Sequence, residues 1–164
     1  MSDCKSFEPS IDNNSKVLIL GSMPGVRSLC EQQYYAHPQN RFWKVMSVIC
    51  NQPHLHMFDY NLKLKTLLTN NIALWDTIKS CKREGSLDSD IQFETPNDIQ
   101  ALLKKYPNIK TICLNGNKSY SSFKKYFPDL LEKYSCHKMS STSPANARYN
   151  LQSLVNEWSA VFEK

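Results

Sequence analysis

Short apolar runs without polar alternation recur along the chain and predict buried strands. Residues 16–21, 71–78 and 110–114 are runs of this kind, and residues 136–140 form a weaker fourth. Helical segments lie between them, so the strands are expected to run parallel in one sheet that helices cover on both faces. The pattern therefore predicts an α/β protein with a four-stranded parallel sheet.

Apolar residues spaced three or four positions apart predict the helices. This spacing occurs in five segments: residues 42–49, 60–68, 99–106, 120–127 and 151–162. Asn40 stands where the N-cap of the first helix would lie, and Thr95 with Pro96 is expected to open the third. Three polar stretches are expected to be an N-terminal segment, a long loop and a connection: residues 1–15, 22–39 and 79–94.

The composition is that of a soluble globular domain. The 164 residues have a hydrophobic fraction of 41% and a charged fraction of 21%, which excludes collagen-like and disordered chains. Their number favours one domain spanning residues 1–164, and no apolar run is long enough to cross a bilayer. The net charge of +5 is compatible with a polyanionic partner.

The cysteines argue against a metal centre. Six cysteines lie far apart in the chain and no CxxC pair exists, so neither a zinc ribbon nor an iron–sulfur cluster is expected. The N-terminal segment lacks the apolar core of a secretory signal. We therefore expect reduced thiols, a cytoplasmic location, no metal or other cofactor, and a monomer.

Ligands of open parallel sheets bind at the carboxyl ends of the strands. The sequence places four segments there: residues 21–40, 75–89, 115–117 and 141–148. The first begins with residues 21–25 (GSMPG), whose free main-chain amides suit an anion or a ligand carbonyl. This loop matches neither a Walker loop nor the GxGxxG pattern.

Two of these segments carry groups suited to nucleic acid. Residues 34–43 (YYAHPQNRFW) combine aromatic rings, amides and one Arg, and flat rings beside polar groups hold single bases; Phe42 and Trp43 are expected in the core. Residues 140–148 (SSTSPANAR) precede a helix and are rich in hydroxyls. Their composition favours phosphate contacts and an elaborate helix cap equally.

Six segments, taken in order, resemble those of the uracil-DNA glycosylase superfamily, and within it the hypoxanthine-DNA (deoxyinosine) glycosylase branch: GSMPGVRS, QYYAHPQNRFW, NIALWDTI, REGSLDSDI, LNG and STSPANAR. The resemblance covers residues 16–148. It implies a three-layer α/β/α sandwich that binds DNA and extrudes a nucleotide from the duplex. It also implies a base excision repair enzyme that hydrolyses the N-glycosidic bond of a deaminated base, with hypoxanthine expected first.

The resemblance also implies a catalytic residue. In the mismatch-specific relatives the first loop carries a catalytic Asn, whereas Met23 stands there in this chain and its thioether cannot orient water. The Asn of the PQN segment serves the deoxyinosine branch and matches Asn40. A neutral carboxamide can hold the water of a dissociative hydrolysis, in which positioning and electrostatics lower the barrier. The last motif lacks the His of the uracil-specific relatives, which argues against efficient uracil excision.

Two groups of residues are assigned to DNA. The base is expected to contact Gly21, Ser22, Met23, Tyr35 and Asn115. The DNA backbone, or the gap left in the duplex, is expected to contact Ser141, Thr142, Ser143, Pro144, Ala145, Asn146 and Arg148. Tyr35 would stack on the base. Asn115 would pair with O6 and N1–H of hypoxanthine, or it is only a left-handed turn residue before Gly116.

Other assignments stay open on the sequence. Arg41 either contacts a phosphate or pairs with Asp76, and Asp76 itself is expected to have a structural role. Apart from Lys118 the motifs hold no Lys, so a monofunctional hydrolase without an amine nucleophile is expected. The rival functions are a catalytically silent DNA-binding module of the same fold, a uracil- or xanthine-directed glycosylase, and a small nucleotide-binding α/β protein.

Overall fold

Strands and helices alternate along most of the chain, whose residues 1–163 are described by a computed structural model. The strands are β1 (Ser2–Lys5), β2 (Val17–Gly21), β3 (Ile72–Asp76), β4 (Ile78–Arg83), β5 (Gln92–Pro96), β6 (Thr111–Asn115) and β7 (Ser135–Met139). The α-helices are α1 (Val26–Glu31), α2 (Phe42–Ile49), α3 (Tyr60–Thr69), α4 (Ile99–Lys105), α5 (Asn117–Tyr126), α6 (Pro128–Lys133) and α7 (Leu151–Phe162). Short 3-10 helices span Leu55–Met57 and Asp88–Asp90.

Four parallel strands form the centre in the order β3-β2-β6-β7. Successive side chains alternate between the two faces, so Leu18 and Leu20 lie in one apolar cluster and Ile19 in the other. Gly21 at the end of β2 lies opposite Asp76 at the end of β3. The predicted four-stranded parallel sheet is confirmed, and its carboxyl ends meet at one edge.

Three helices cover each face of this sheet. On one face α2, α3 and α7 bury Phe42, Leu67 and Trp158. On the other face α4, α5 and α6 enclose a second cluster around Leu103 and Phe123. The three-layer α/β/α architecture that the sequence resemblance implies is therefore confirmed.

A second sheet, antiparallel and in the order β1-β4-β5, was not expected from the sequence. The prediction of a connection at residues 79–94 was wrong, because this stretch contains parts of β4 and β5, and the polar N-terminal segment contains β1, which begins at Ser2. The pairing of β4 with β5 shifts register twice, and β4 buries Ile78, Cys81 and Arg83 without strict alternation. No two-residue period therefore marks these strands in the sequence.

The start of α4 also differs from the prediction. Thr95 and Pro96 end β5 rather than open the helix, which is compatible with an edge strand because Pro donates no ladder hydrogen bond. Asp98 is the actual N-cap, and its carboxylate accepts the N–H of Ala101 at 3.0 Å. The helix begins at Ile99.

The region before α2 needs two smaller corrections. The predicted loop at residues 22–39 contains the short helix α1. Arg41 occupies the N-cap position of α2, although the carboxamide of Asn40 accepts the N–H of Phe42 and so satisfies one of the free amides at the start of the helix. Among the helices of residues 1–163, none has the length and apolarity needed to cross a membrane.

Candidate active site

A cleft of about 890 Å³ opens at the carboxyl edge of the parallel sheet, where the fold predicts a ligand site. All four segments that the sequence places there contribute to its walls. The cleft is lined by every residue that the sequence analysis assigned to catalysis or to DNA: Asn40, Gly21, Ser22, Met23, Tyr35, Asn115, Ser141, Thr142, Ser143, Pro144, Ala145, Asn146 and Arg148. The fold thus brings residues from distant parts of the sequence together.

Asn40 is half-buried in the wall of the cleft. Its Oδ1 accepts the N–H of Phe42, the first residue of α2, at 2.9 Å. This bond fixes the plane of the carboxamide. Its Nδ2 has no hydrogen-bond partner among the described residues, and Oδ1 keeps a second lone pair. Asn40 is therefore both a helix-capping group and a preoriented polar group facing the cleft.

Tyr35 lines the cleft in a backbone conformation that is rare for its residue type. Its φ is 56°, in the left-handed region that non-glycine residues adopt at a cost of roughly 1 kcal/mol. One face of the ring stacks on Phe42, with centroids 3.9 Å apart. Burial holds the pKa of Tyr35 above its usual value, so the phenol is neutral at physiological pH.

Asn115 uses its amide inside the protein. Its Nδ2 donates to the hydroxyls of Tyr35 and Thr142 at 3.3 and 3.1 Å, and its Oδ1 accepts the N–H of Thr142 at 3.1 Å. The positive φ of 98° belongs to Gly116, so the interpretation of Asn115 as a left-handed turn residue was wrong. Asn115 ties the end of β6 to the loop before α7 and keeps one free lone pair.

The first loop, residues 21–25, is held against the second sheet. The side chain of Met23 is 6% exposed and packs with Cys4 and Cys81, so its thioether contributes packing. The main-chain N–H groups of Ser22 and Met23 have no acceptor among the described residues. These two amides agree with the expectation that the loop offers donors at the cleft.

Arg41 braces the loop of residues 140–149. Its guanidinium donates to four main-chain carbonyls of that loop: those of Thr142, Ser143, Asn146 and Tyr149. The pairing of Arg41 with Asp76, one of the two alternatives from the sequence, was wrong. Because four of the five N–H groups of the guanidinium are occupied, the observed role of Arg41 is to shape the cleft.

The hydroxyls of the same loop stabilise its turns. Ser141 and Ser143 accept main-chain N–H groups two residues further on, at 3.1 and 3.2 Å. The cap of α7 is Asn150, whose Oδ1 accepts the N–H of Ser153 at 2.8 Å. The alternative of a helix cap built from residues 140–148 was therefore wrong. The hydroxyl hydrogens of Ser141 and Ser143 have no acceptor among the described residues, so they are available for donation.

Two charged residues that line the cleft, Asp76 and Asp88, and a third beside it, Arg83, were not expected as part of the site. Asp76 is 4% exposed and Arg83 is 1% exposed, and Asp88 accepts the hydroxyl of Ser22 at 2.6 Å. Arg83 donates to the carbonyl of Pro24. The pKa of Asp76 is raised to about 7, mainly by burial and also by the carboxylate of Asp88, while Arg83 opposes the shift. The sequence signal for Asp76 was an acidic residue at the end of a short apolar run, which is the end of β3 in the structure.

We expect Asp76 to make the fold less stable as the pH rises. Its folded-state pKa of about 7 lies above the ordinary 3.8, so the folded protein binds this proton more tightly than the unfolded chain does. The resulting stabilisation is complete below pH 4 and is lost as the pH rises through 7. A shift of this size corresponds to roughly 4 kcal/mol.

Urea unfolding of the wild type and of Asp76→Asn between pH 4 and pH 8 checks this expectation. The free energy of unfolding of the wild type should fall relative to that of the variant across this range. Equal differences at all pH values would contradict it. Titrating groups that do not interact with Asp76 contribute equally to both proteins and cancel in the difference.

The fold and the cleft define an α/β/α protein with an aromatic and amide-rich site at the carboxyl edge of a parallel sheet. The family model of the Uracil DNA glycosylase superfamily matches residues 8–161, and the chain belongs to this superfamily. Within residues 1–163, no three His, Cys, Asp or Glu side chains are grouped so that they could hold a metal ion.

Individual relatives resemble the chain over nearly its whole length. A Methanosarcina acetivorans protein called hypoxanthine DNA glycosylase is 39% identical over 159 residues, which are 96% of this chain and 97% of the relative. A Methanosarcina barkeri protein of the same name is 38% identical and covers 98% of both chains. The solution NMR structure of a candidate uracil DNA glycosylase from Methanosarcina acetivorans superposes with a TM-score of 0.84 at 38% identity, covering 98% of this chain and 97% of that one.

Proposed function

We propose that this protein is a monofunctional DNA glycosylase that removes hypoxanthine from deoxyinosine in DNA, as the first step of base excision repair. The observation that carries the proposal is the similarity, at 39% identity over nearly the full length, to a relative called hypoxanthine DNA glycosylase. The convergence of the motif residues on one cleft supports it. The protein acts as a monomer without a metal ion.

The target nucleotide must leave the duplex to enter the cleft, because its glycosidic carbon is shielded in stacked DNA. The loop of residues 140–149 lies at the mouth and offers hydroxyl donors, and Arg148 is exposed there. Hydroxyls and Arg are the usual partners of phosphate oxygens. The exposed Ala145, with Asn146 beside it, is suited to occupy the gap left by the extruded nucleotide.

Asn40 holds the attacking water. The free lone pair of its Oδ1 accepts one hydrogen of the water and directs the water oxygen towards C1′ of the deoxyribose. A dissociative reaction requires little deprotonation of the water before attack, so a neutral amide is sufficient. The bond from Phe42 to Oδ1 fixes this geometry before the substrate arrives.

The base is held by an aromatic face and by amides. Tyr35 stacks on the base with the ring face that Phe42 leaves free. The free main-chain amides of Ser22 and Met23 are suitable donors to a base carbonyl. Recognition by Asn115 requires its bonds to Tyr35 and Thr142 to be exchanged for bonds to the base.

The surroundings of Lys118 support a monofunctional enzyme. A β-lyase uses an amine nucleophile that is free to attack the sugar. The ammonium of Lys118 is instead paired with the carboxylate of Glu94, which is 14% exposed. No Schiff base is therefore part of the proposed mechanism.

Incubation with labelled duplexes that contain inosine, xanthine or uracil tests the proposed function. We expect abasic sites at inosine, seen as strand scission only after alkali treatment, and undiminished activity in the presence of a chelator. Scission before alkali would contradict the monofunctional assignment. Retained DNA binding without cutting of any substrate would favour the silent module, and tight binding of free nucleotides alone would favour the nucleotide-binding alternative.

A further inference from the structure

The carboxyl group of Asp76 is buried and titratable, and the proposed function gives it no role. Asn40 holds the water and Tyr35 stacks on the base in that proposal. Asp76 ends β3 and lines the cleft together with Gly21, Tyr35 and Asn115. Its Oδ2 is buried and has no hydrogen-bond partner among the described residues. A buried polar atom without a partner costs free energy. Oδ1 of the same carboxyl group approaches Gly21 in the wall of the cleft, so a ligand bound there can supply the partner that this group lacks.

Gly21 makes room for this carboxyl group. A Cβ atom on Gly21 would lie 2.6 Å from Oδ1 of Asp76 and 3.2 Å from the hydroxyl of Tyr35. Both distances are shorter than ordinary contacts with a Cβ atom. The φ of Gly21 is not positive, so the close approach of Asp76, rather than the backbone conformation, is what requires glycine here. The first loop is thus built around the carboxyl of Asp76.

A purine that leaves from C1′ needs a proton. When the C1′–N9 bond breaks, its electron pair stays with the base, and an unprotonated purine departs as an anion. Neither the carboxamide of Asn40 nor that of Asn115 can transfer a proton at neutral pH. Within residues 1–163, two carboxyl groups line the cleft, those of Asp76 and Asp88. Asp88 is engaged by the hydroxyl of Ser22, whereas the carboxyl of Asp76 approaches Gly21, a residue assigned to the base.

We propose that Asp76 is a second catalytic residue, the general acid that protonates the departing purine. This inference rests on the proposed glycosylase function. The proton moves from the carboxyl oxygen to a ring nitrogen of the base as the C1′–N9 bond breaks. The water held by Asn40 then forms the new C1′–O bond, and its proton returns to the carboxylate of Asp76. The products are neutral hypoxanthine and an abasic deoxyribose.

The charges around Asp76 are consistent with an acid that is partly protonated near neutral pH. Burial is the main cause of its raised pKa, Asp88 raises it further, and Arg83 and the hydroxyl of Ser6 lower it. The other titratable groups that face it are the neutral phenols of Tyr34, Tyr35 and Tyr60. Excision should therefore slow as the pH rises through the range in which Asp76 loses its proton.

The decisive measurement is the single-turnover excision rate on an inosine-containing duplex between pH 5 and pH 9. For the wild type we expect a rate that falls above about pH 7. The isosteric Asp76→Asn can donate a hydrogen bond but no proton. It should be slower by about 10²-fold or more below pH 7, the usual contribution of a general acid, and its rate should no longer fall with pH.

Two further variants separate proton transfer from a structural role. An imidazole can also transfer a proton, and His37 is exposed at the cleft; His37→Gln is therefore the control and should keep the wild-type pH profile. Asp88→Asn preserves the acceptor for Ser22 but removes a charge that raises the pKa of Asp76. The fall in its excision rate should therefore begin at a lower pH.

The excision rates and pH profiles of the wild type and of Asp76→Asn distinguish the possible outcomes. A wild-type rate and pH profile in Asp76→Asn would overturn the proposal, and so would a slower rate at all pH values with an unchanged profile, because that result indicates a structural role. A wild type that releases no base from any duplex would instead overturn the glycosylase function, and with it this inference. Circular dichroism and urea unfolding confirm that each variant is folded.

Discussion

Replacement of Asn40 by Ala should nearly abolish excision, lowering the single-turnover rate on inosine-containing DNA by about 10³-fold. The variant loses a carboxamide that is fixed by the start of α2 and lines the cleft. The attacking water then has no acceptor to direct it at C1′. Binding of the same duplex should be retained, because Asn40 is not one of the residues assigned to the phosphates. Gel shifts and quenched-flow kinetics measure the two effects separately.

Loss of the hydrogen bond between Asn40 and the start of α2 should destabilise the fold too little to explain the loss of excision. Loss of such a cap costs about 1 kcal/mol, which is small against the 5–15 kcal/mol that stabilises an ordinary domain. Asp59→Ala is the matched control, since Asp59 caps α3 by accepting the N–H of Leu62 at 3.0 Å and lies outside the cleft. It should lose similar stability and keep full activity. Near-normal turnover in Asn40→Ala would exclude Asn40 from the mechanism.

Replacement of Arg41 by Ala should lower both the stability and the activity of the protein. The loop of residues 140–149 loses four hydrogen bonds from one guanidinium, so we expect a decrease of about 2 to 4 kcal/mol in the free energy of unfolding. The same loop carries the assigned DNA contacts, and its displacement should lower kcat/KM by about 10²-fold. Arg41→Lys should restore little, because an ammonium cannot reach four carbonyls at once.

The salt dependence of DNA binding shows whether Arg41 only stabilises the loop of residues 140–149 or also contacts a phosphate. If Arg41 acts as a brace, Arg41→Ala should weaken binding at every salt concentration without changing the slope of log K against log salt. Arg148→Ala is the comparison, because Arg148 is exposed at the cleft, and it should reduce that slope by about 1. An equal reduction in both variants would show that Arg41 contacts phosphate as well.

The parallel sheet and its helices could be predicted from the sequence because their burial follows regular periods. Val17–Gly21 is buried on both faces and reads as an apolar run, and α7 shows an apolar stripe that includes Leu154 and Trp158. The second sheet could not be predicted in this way. Its strands are short and polar, and the pairing with β5 shifts register at Ser80, so no period of two residues is visible.

The candidate site could be predicted as a set of loops but not as a network of contacts. The rule that ligands bind at the carboxyl ends of strands selected the right segments. The partners of individual side chains depend on residues far away in the sequence: Arg41 bonds to Thr142, and Asn115 to Tyr35. The environment of Asp76 likewise depends on residue 21 being glycine, because a Cβ atom there would collide with the carboxyl group. No local sequence pattern reveals this contact.

The packing of Met23 against Cys4 and Cys81 lets β1 support the loop that lines the cleft. β1 pairs with β4 from Ser2 to Lys5, and Arg83 at the end of β4 holds the carbonyl of Pro24. The loop of residues 21–25 is thus anchored through a second sheet that contains none of the residues assigned to DNA. We expect changes in this second sheet to alter the excision rate even though the residues assigned to the nucleotide stay the same.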